Sequence, residues 1–317
     1  MFKKHAYFFG RKSMKFFNFK SLEGKSCNIL WTKDKFLHLV KSRLRGELLL
    51  TPFLAELIGT FIIVVLGVGV AGGVLLRGTK SAGSGWLIIA LGWGLAYAFG
   101  NYAIYSYSGA HLNPALTLGL ASIGQFGWNQ VPIYILGQLF GAVFGAVAVF
   151  LIYLPHWKVT AEAKRKLLVF VTSPALSNPP ANLFSEMIGT FIFVLGILTI
   201  KTNSVNYDFQ PLIIGFIVTS IGLSLGGATG FAINPARDLG PRIAHYLLPI
   251  TGKGPSDWKY AWIPIVGPII GGTYGALFYQ GFYLGIYDTW FWVETFIILL
   301  IISWIVYHDK LYKESTS

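Results

Sequence analysis

The sequence predicts an all-α membrane protein with six transmembrane helices plus two re-entrant half-helices arranged as an inverted repeat. Three observations carry this prediction. Of the 317 residues, 54% are hydrophobic and 12% are charged, whereas a soluble domain carries about 25% charged residues. Residues 81–157 contain no Asp, Glu, Lys or Arg, which is not compatible with a water-exposed surface. The chain also repeats its own order of long and short apolar segments. This composition excludes a disordered chain, a coiled coil and an ordinary cytosolic enzyme.

A basic segment precedes the first long apolar stretch. Residues 1–51 hold twelve Lys and Arg against three acidic residues, a local net charge of +9. Lys and Arg resist translocation, so we expect a multi-pass protein of the cell membrane with a cytoplasmic N-terminus. An anionic leaflet beside the segment accounts for its charge, and we therefore expect the lipid bilayer, and no nucleic acid, as its partner. Apolar runs of about 7–15 residues are missing before Leu48, which argues against a signal peptide.

Six apolar stretches are long enough to span a bilayer, which takes about 20 residues. They are Leu57–Leu76, Trp86–Tyr105, Val131–Tyr153, Leu183–Ile200, Pro211–Leu225 with its flanks, and Tyr260–Tyr283. Two further stretches, Asn113–Ile123 and Asn234–Leu248, are only about half to two-thirds of that length at 1.5 Å per residue. We expect these two to enter the membrane and stop near its middle.

The chain consists of two similar halves, at about residues 51–155 and 183–287. Residues 53–63, FLAELIGTFII, match residues 183–193, LFSEMIGTFIF. Each half has three spans and one short stretch, and because three is odd the second half is inserted upside down. Inverted repeats with broken helices place a binding or conduction site at the midplane between the halves. Glycines spaced four apart in the third and sixth spans predict close helix packing; they are Gly137, Gly141 and Gly145, and Gly267, Gly271 and Gly275.

Each short stretch opens with an Asn-Pro-Ala box. The boxes are Asn113, Pro114 and Ala115 in the first half and Asn234, Pro235 and Ala236 in the second. Asn is a good helix N-cap and Pro suits the first helical position, so a single box would indicate only a helix start. Two boxes at the tips of membrane half-helices indicate more, because backbone groups there must be satisfied or face a wet cavity. We expect both tips to meet at the midplane, each Asn amide donating to a passing oxygen while the helix dipoles repel cations.

Arg237 follows the second box and lies inside a membrane segment. An intramembrane Arg is costly and is read first as functional. The alternatives are an ion pair with Asp238 alone, or a side chain that extends to the membrane surface.

The segments around His111-Leu-Asn-Pro-Ala-Leu-Thr and Ile233-Asn-Pro-Ala-Arg-Asp-Leu-Gly-Pro-Arg resemble the aquaporin (major intrinsic protein) family, specifically its aquaglyceroporin or glycerol uptake facilitator branch. The resemblance covers about residues 50–285, and the boxes, the repeat and the flanking residues agree. It implies a passive channel, without enzymatic activity, for glycerol, other small neutral solutes and some water. It also implies a homotetramer with one pore per monomer. On this view residues 51–287 form the channel domain, between a basic cytoplasmic extension (1–50) and an apolar C-terminal segment (288–317).

The resemblance also implies a selectivity filter of Trp93, Gly222, Phe231 and Arg237. Trp93 stands 20 residues before the first box Asn, and Gly222 and Phe231 stand 12 and 3 residues before the second. The two aromatic rings would face the carbon chain of a polyol, Arg237 would bind its hydroxyls, and Gly222 would leave room where water-only members carry His. Taken singly, each aromatic residue could instead be a lipid-facing or packing side chain.

Other residues near the second box match the glycerol branch. Asp238 directly follows the filter Arg and would support it, and Arg242 lies four residues further on. Pro264-Ile265 roughly fits the branch's Pro-Leu position, with Ile in place of Leu.

Glu56 and Glu186 occupy equivalent positions in the two halves. A bare carboxylate in an apolar span is expensive, so each is either an interfacial residue or, as the repeat favours, an anchor for the irregular backbone before a half-helix. The resemblance implies that carbonyls of this backbone line the pore: Gly109, Ala110, His111, Leu112, Ala228, Thr229, Gly230 and Phe231. We expect His111 to be a buried hydrogen-bonding residue.

Signals for bound groups are weak. The single cysteine, Cys27, excludes a disulfide framework and a cysteine-ligated metal site. Gly67-Val-Gly-Val-Ala-Gly72 satisfies the dinucleotide fingerprint, but it lies within a span and no strand precedes it. We expect neither a metal nor a cofactor.

Two segments depart from the family pattern. Trp290–Tyr307 is apolar except for Glu294 and is either a seventh span or an interfacial helix; its Trp residues and Glu294 slightly favour the interfacial or loosely inserted form. The connection Pro155–Asn182 carries four positive charges and is rich in Pro near its end, which predicts a turn-rich extracellular loop.

Three alternatives to a glycerol channel remain. A water-selective channel of the same fold is disfavoured by Gly222 and Asp238. A coupled secondary transporter also uses inverted repeats, but it would need ionisable residues along the path, and each of the few available has a structural or filter role. An intramembrane enzyme would need a nucleophile–base pair or converging metal ligands, and the sequence offers no such set.

Overall fold

A computed structural model describes residues 51–203, 205–206 and 208–316 of the chain. The basic segment of residues 1–50, with its predicted cytoplasmic location, lies outside the described residues. Residues 50–317 form one compact unit, and in its described part the regular structure is helical, without β-strands. The helices are α1 (Pro52–Leu75), α2 (Trp86–Ser108), α3 (Pro114–Ser122), α4 (Val131–Ile152), α5 (Leu154–Val159), α6 (Ala163–Phe170), α7 (Pro179–Thr202), α8 (Gln210–Ser224), α9 (Gly226–Thr229), α10 (Pro235–Leu247), α11 (Ile263–Leu284) and α12 (Thr289–Thr316).

The six predicted spans are α1, α2, α4, α7, α8 and α11. Four of them, α1, α2, α4 and α7, are long and apolar enough by length and composition to cross a membrane. Helix α8 has only 15 residues and is followed by the separate turn α9. Helix α11 has 22 residues but is less apolar, since it contains five Gly and three Tyr. The predicted bounds are correct to within a few residues, apart from the earlier starts of α1 and α7 at their Pro residues.

The two predicted half-helices are α3 and α10. They contain 9 and 13 residues, or about 14 and 20 Å at 1.5 Å per residue. Each begins with Pro directly after its Asn cap, because Pro has no N–H to leave unpaired at the first helical position. They are too short to cross a bilayer core of about 30 Å.

The two halves pack in equivalent ways. Helix α1 packs on α4 and α7 packs on α11, and these are the two most extensive helix pairings. The glycine ladders lie in both interfaces: a Cβ atom at Gly137 would lie 2.6 Å from the Phe53 carbonyl oxygen, and one at Gly267 would lie 2.9 Å from the Glu186 Cβ atom. The glycines therefore let the helix backbones approach closely, as predicted.

Contacts between the halves bring the half-helices together. The half-helix α3 packs on α11 of the second half, and α10 packs on α4 of the first. Helices α2 and α8 pack directly on each other. Each half-helix is thus held by the opposite half, and its N-terminus points into the middle of the bundle.

The connection Pro155–Asn182 is more helical than predicted. It forms α5 and α6, which pack through stacked Trp157 and Phe170 with ring centroids 5.5 Å apart.

Between these helices Glu162 pairs with Arg77, and this hydrogen bond lowers the pKa of Glu162 to about 2. Glu162 therefore stays charged at physiological pH.

The C-terminal helix α12 packs against α7 and α11. The chain reverses after α11, and α12 then runs antiparallel to both α11 and α7. The Thr273 hydroxyl of α11 donates to Glu294 over 3.0 Å, Ile301 packs on Leu183 at the other end of the bundle, and His308 lines a cavity beside the start of α7. By length and composition Thr289–Leu311 can cross a membrane. A seventh span and an interfacial helix therefore both stay predictions for this segment.

Candidate functional site

The two Asn-Pro-Ala boxes begin the two half-helices at the centre of the molecule. The Oδ1 atom of Asn113 accepts the N–H of Ala115 over 2.9 Å. The Oδ1 atom of Asn234 accepts the N–H groups of Ala236 and Arg237 over 3.0 and 3.2 Å. Each Asn therefore caps its helix, and this fixes the orientation of its amide group.

The boxes are joined across the two halves. The amide nitrogen of Asn113 donates to the carbonyl oxygen of Ile233 over 2.8 Å, and that of Asn234 donates to the carbonyl oxygen of Leu112 over 2.7 Å. Both Asn side chains are fully buried. The two helix N-termini thus meet tip to tip, and the positive ends of both dipoles converge on one place.

The backbone before each box is held in a rarely populated conformation. Ala110 and Leu112 have φ angles of 51° and 54°, and Phe231 and Ile233 have φ angles of 42° and 45°. Residues other than glycine seldom adopt this left-handed backbone conformation. Equivalent positions in the two halves share this conformation, so it is a feature of the internal repeat.

The buried carboxylates hold this backbone. Glu56 accepts the N–H groups of His111 and Leu112 over 3.0 and 2.7 Å. Glu186 accepts those of Ala232 and Ile233 over 3.0 and 2.9 Å. The hydrogen bonds expected of structural anchors are therefore present, and neither Glu lies at the membrane surface.

A cavity of about 290 Å³ lies on the side of the boxes that faces the connection of residues 155–182, and Trp93 and Arg237 form part of its wall. We call it the outer cavity, after the predicted extracellular location of that connection. The Arg237 guanidinium carbon lies 4.0 Å from the centroid of the Trp93 ring, a cation–π contact. Arg237 is only 6% exposed, so its side chain does not extend to the membrane surface. Trp93 is 2% exposed and packs on Gly67, where an added Cβ would overlap its ring.

Gly222 and Phe231 contact each other beside this cavity. A Cβ atom at Gly222 would lie 3.0 Å from the Phe231 Cζ atom, so the ring takes the space that a side chain would need. The Phe231 ring meets the edge of Trp86, with centroids 5.6 Å apart at 82°. It also closely approaches Gly226, and both Trp86 and Gly226 line the cavity. Trp93 and Arg237 thus line the cavity, whereas Gly222 and Phe231 lie behind its Trp86 and Gly226 wall. Both aromatic rings of the predicted filter are buried.

Asp238 pairs with Arg242 and not with Arg237. Its Oδ1 atom accepts from the Nε and Nη2 atoms of Arg242, both over 2.8 Å, and both side chains are completely buried. Its Oδ2 atom accepts from the N–H and hydroxyl of Thr172, both over 2.7 Å. Among the ion pairs of the described residues none involves Arg237, so its guanidinium is available at the cavity wall.

A much smaller cavity, which we call the inner cavity, lies on the opposite side of the boxes. Its volume is about 10 Å³, enough for about one water molecule. Gly109, Ala110 and His111 of the predicted carbonyl row line it, whereas Gly230 lines the outer cavity. The row is therefore divided between the two sides of the boxes.

Ala228 of the predicted row lines neither of these two cavities. It lies in the helical turn α9, and its carbonyl oxygen accepts the N–H of Ala175 over 2.9 Å. It lines a separate outer groove together with His308. The first half has no equivalent turn, because α2 runs unbroken to Ser108.

The comparison of the sequence with known families decides the assignment. The chain matches the major intrinsic protein family over residues 44–279. The chain belongs to the major intrinsic protein family. The glycerol uptake facilitator protein of Bacillus subtilis (strain 168) is 49% identical over 267 residues, which cover 84% of this chain and 97% of that protein. A probable glycerol uptake facilitator protein of Thermotoga maritima is 53% identical over 219 residues, which cover 69% and 94%.

Solved structures agree with this assignment. The X-ray structure of the aquaglyceroporin from Plasmodium falciparum matches with a TM-score of 0.65 and 33% identity, covering 73% of this chain and 95% of that one. The resemblance inferred from the boxes, and the fold it implied, are confirmed. Members of the major intrinsic protein family are channels and not enzymes.

His111 of this major intrinsic protein is a buried hydrogen-bonding residue. Its Nδ1 atom lies 3.1 Å from the Thr117 hydroxyl, and its ring packs on Phe126 and Tyr134 at centroid distances of 4.6 and 4.8 Å. Within the part of the chain that the structure describes, no three His, Cys, Asp or Glu residues cluster as metal ligands.

Sequence reasoning missed two residues of the site. Thr172 binds Asp238 and lines the outer cavity, and no sequence signal points to it. Tyr97 contacts the second box, since its hydroxyl oxygen accepts from the Asn234 amide over 2.9 Å. Its signal was available, because it stands one helical turn after Trp93 and so on the same face of the second span.

Proposed function

We propose that this protein conducts glycerol and other small uncharged solutes, with some water, passively across the membrane. The observation that carries the proposal is the buried Arg237 guanidinium, stacked on Trp93 at the wall of a mainly apolar cavity. A polyol has hydroxyls and a carbon chain, and this wall offers hydrogen-bond donors beside aromatic surface. The relatives named as glycerol uptake facilitators support the same solute.

The same residues account for the proposed exclusion of ions and protons. A cation that enters meets the Arg237 charge first and then the positive ends of both half-helix dipoles. The two sources of positive potential lie in a low-dielectric site, where they act strongly. A neutral solute experiences neither as a barrier.

A water-selective channel of the same fold fits less well. The ring of Phe231 occupies the space that a larger side chain at position 222 would need. The surface that Phe231 forms with Trp86 is apolar. Such a wall favours a carbon chain over water alone. We propose Trp93, Gly222, Phe231 and Arg237 as the filter, with Asp238 as its support.

An ion-coupled transporter also fits less well, because the buried carboxylates are engaged. Glu56 and Glu186 each accept two backbone N–H groups, and Asp238 accepts from Arg242 and Thr172. Proton coupling would require one of these groups to change its partners in every cycle. That change would release the backbone that shapes the pore.

We propose that residues 51–287 form the channel domain and that this domain assembles as a homotetramer with one pore per monomer. We also propose that the protein lies in the cell membrane with its N-terminus in the cytoplasm. Family membership supports the assembly, and the +9 charge of residues 1–51 supports the orientation. Large apolar side chains such as Phe99, which is 60% exposed, provide surface for lipid or for a second copy of the chain. Crosslinking of the protein in native membranes tests the tetramer.

The function is tested by stopped-flow light scattering on proteoliposomes. We expect glycerol and water permeabilities well above those of empty vesicles, and glycerol entry that does not depend on an ion gradient. Water flux without glycerol flux would favour the water-selective alternative. Glycerol entry that requires a proton or sodium gradient would favour the coupled transporter.

Replacing Arg237 tests the filter assignment. The Arg237→Ala variant should conduct glycerol but admit small cations about tenfold faster, because it removes about 1.4 kcal/mol or more from their barrier. Arg165→Ala is the matched control, since it removes one positive charge from the half-exposed side chain of the outer connection. Unchanged ion exclusion in Arg237→Ala would contradict the filter assignment.

A further inference from the structure

Tyr97 lies inside the conduction path, between the two cavities. Trp93 and Tyr97 are one turn apart on α2, and both are 2% exposed. Trp93 lines the outer cavity, and Asn101, one turn beyond Tyr97, lines the inner cavity. Neither set of lining residues includes Tyr97 or Asn234, and these two side chains are joined by a hydrogen bond, so the joined pair lies between the two cavities.

The hydroxyl of Tyr97 takes up a donor that the second box would offer to a solute. An Asn amide has two N–H groups. Those of Asn234 go to the Leu112 carbonyl over 2.7 Å and to the Tyr97 hydroxyl over 2.9 Å. Among the hydrogen bonds of the described residues, the Asn113 amide donates to the Ile233 carbonyl alone and keeps its second N–H. The two boxes therefore differ in the donors that they leave free.

The ring of Tyr97 is held in this position. It meets the ring of Phe193 of α7 edge to face, with centroids 5.7 Å apart at 74°. Phe193 is itself 1% exposed, and Asn101 donates to the carbonyl oxygen of Tyr97 over 2.9 Å. A ring clamped between packed helices does not turn aside freely, because protein interiors are close-packed.

We propose that Tyr97 is a second specificity-determining residue, which forms a constriction at the midplane and sets the upper size limit of the solute. A solute that has passed Trp93 and Arg237 must then pass the edge of the phenol ring. At this point its oxygen receives hydrogen bonds from the Asn113 amide and from the Tyr97 hydroxyl, whose hydrogen is not used by Asn234. The proposal rests on the proposed conduction of neutral solutes and adds a second selection step to it.

The experiment compares Tyr97→Val, Tyr97→Phe and wild type in proteoliposomes, with water, glycerol and the five-carbon polyol xylitol as probes. Tyr97→Val removes the ring, so the ratio of xylitol to glycerol permeability should rise about tenfold, a barrier change of about 1.4 kcal/mol. Tyr97→Phe keeps the ring, and the freed Asn234 amide replaces the hydroxyl as donor, so the ratio should stay within about twofold of wild type. Phe99→Val is the matched control, because it shortens an aromatic side chain of the same helix that is 60% exposed.

The outcomes separate this proposal from the proposed function. If wild type conducts glycerol and Tyr97→Val leaves the xylitol ratio unchanged, Tyr97 is not a constriction. A rise of equal size in Phe99→Val would also overturn the proposal, since it would indicate general loosening of α2. If wild type conducts no glycerol, the proposed function fails, and water permeability still tests Tyr97: it should increase in Tyr97→Val and not in Phe99→Val.

Discussion

Arg242 is bound on all sides by groups from three parts of the chain. Besides Asp238 on its own helix, it donates to the carbonyl oxygens of Ser256 and Asp257 over 2.9 and 2.8 Å and to that of Thr172 over 3.2 Å. The ion pair therefore ties α10, which carries Arg237, to two outer connections that shape the entrance of the cavity. The ion pair holds α10 in place and does not face the solute, because both of its side chains are completely buried.

The first prediction concerns this buried pair. Asp238→Asn keeps the shape of the side chain but leaves Arg242 without its counter-charge, and breaking a buried pair in this way costs about 3–5 kcal/mol. We expect a clearly lower melting temperature of the purified protein and reduced glycerol permeability, because the entrance loses its support. Glu162→Gln is the control, since it breaks an ion pair that is exposed to solvent and should leave the melting temperature unchanged. Equal melting temperatures for both variants and wild type would contradict this role of Asp238.

At the scale of helices, the glycine ladders determine how closely two helices pack within each half, α1 on α4 and α7 on α11. A Cβ atom at Gly271 would overlap the backbone carbonyl of Met187 in α7, and a backbone atom cannot move aside as a flexible side chain can. A Cβ atom at Gly69 of α1 would instead point into open space, with no atom within 4 Å. The two positions have the same residue type in the same kind of helix and differ only in their neighbours.

This difference gives a second prediction. Gly271→Ala should destabilise the protein by about 1–3 kcal/mol, because α7 and α11 must move apart to admit the methyl group. Gly69→Ala should be neutral or slightly stabilising, since Ala is the better helix former. Thermal unfolding of both purified variants measures the effect. The ladder would have no special role in packing if the two variants melted at the same temperature.

The elements were largely predictable because their signals are local. Asn113 and Pro114 specify a helix start wherever they occur, and the length of the apolar run after them specifies where that helix ends. The contact between Tyr97 and Asn234 was not predictable, because it depends on how the two halves are placed relative to each other. The packing of Trp290–Tyr307 on α7 and α11 was equally unpredictable, since the composition of this segment suits both an interfacial helix and a span.

At the scale of the whole molecule, a membrane-spanning α12 would change the topology. Six spans return the chain to the side from which it started, and a seventh would carry the C-terminus to the other side. The polar contacts of α12 with α11 lie inside the bundle, where Thr273 donates to Glu294 and the Tyr274 hydroxyl lies 3.2 Å from that of Thr295. Such contacts between apolar helices fix their register. With a cytoplasmic N-terminus, the C-terminus would therefore be extracellular.

The third prediction is that the two ends of the chain are labelled from opposite sides of the membrane. The sequence is convenient for this test, because Cys27 is its only cysteine. In intact cells a membrane-impermeant maleimide should not reach Cys27 of the wild-type protein but should label a Cys27→Ser, Ser315→Cys double variant. After permeabilisation both proteins should be labelled, which controls for accessibility of each thiol. If the cysteine at position 315 reacted only after permeabilisation, both ends would be cytoplasmic, and α12 would have to leave its contacts with α7 and lie on the inner membrane surface.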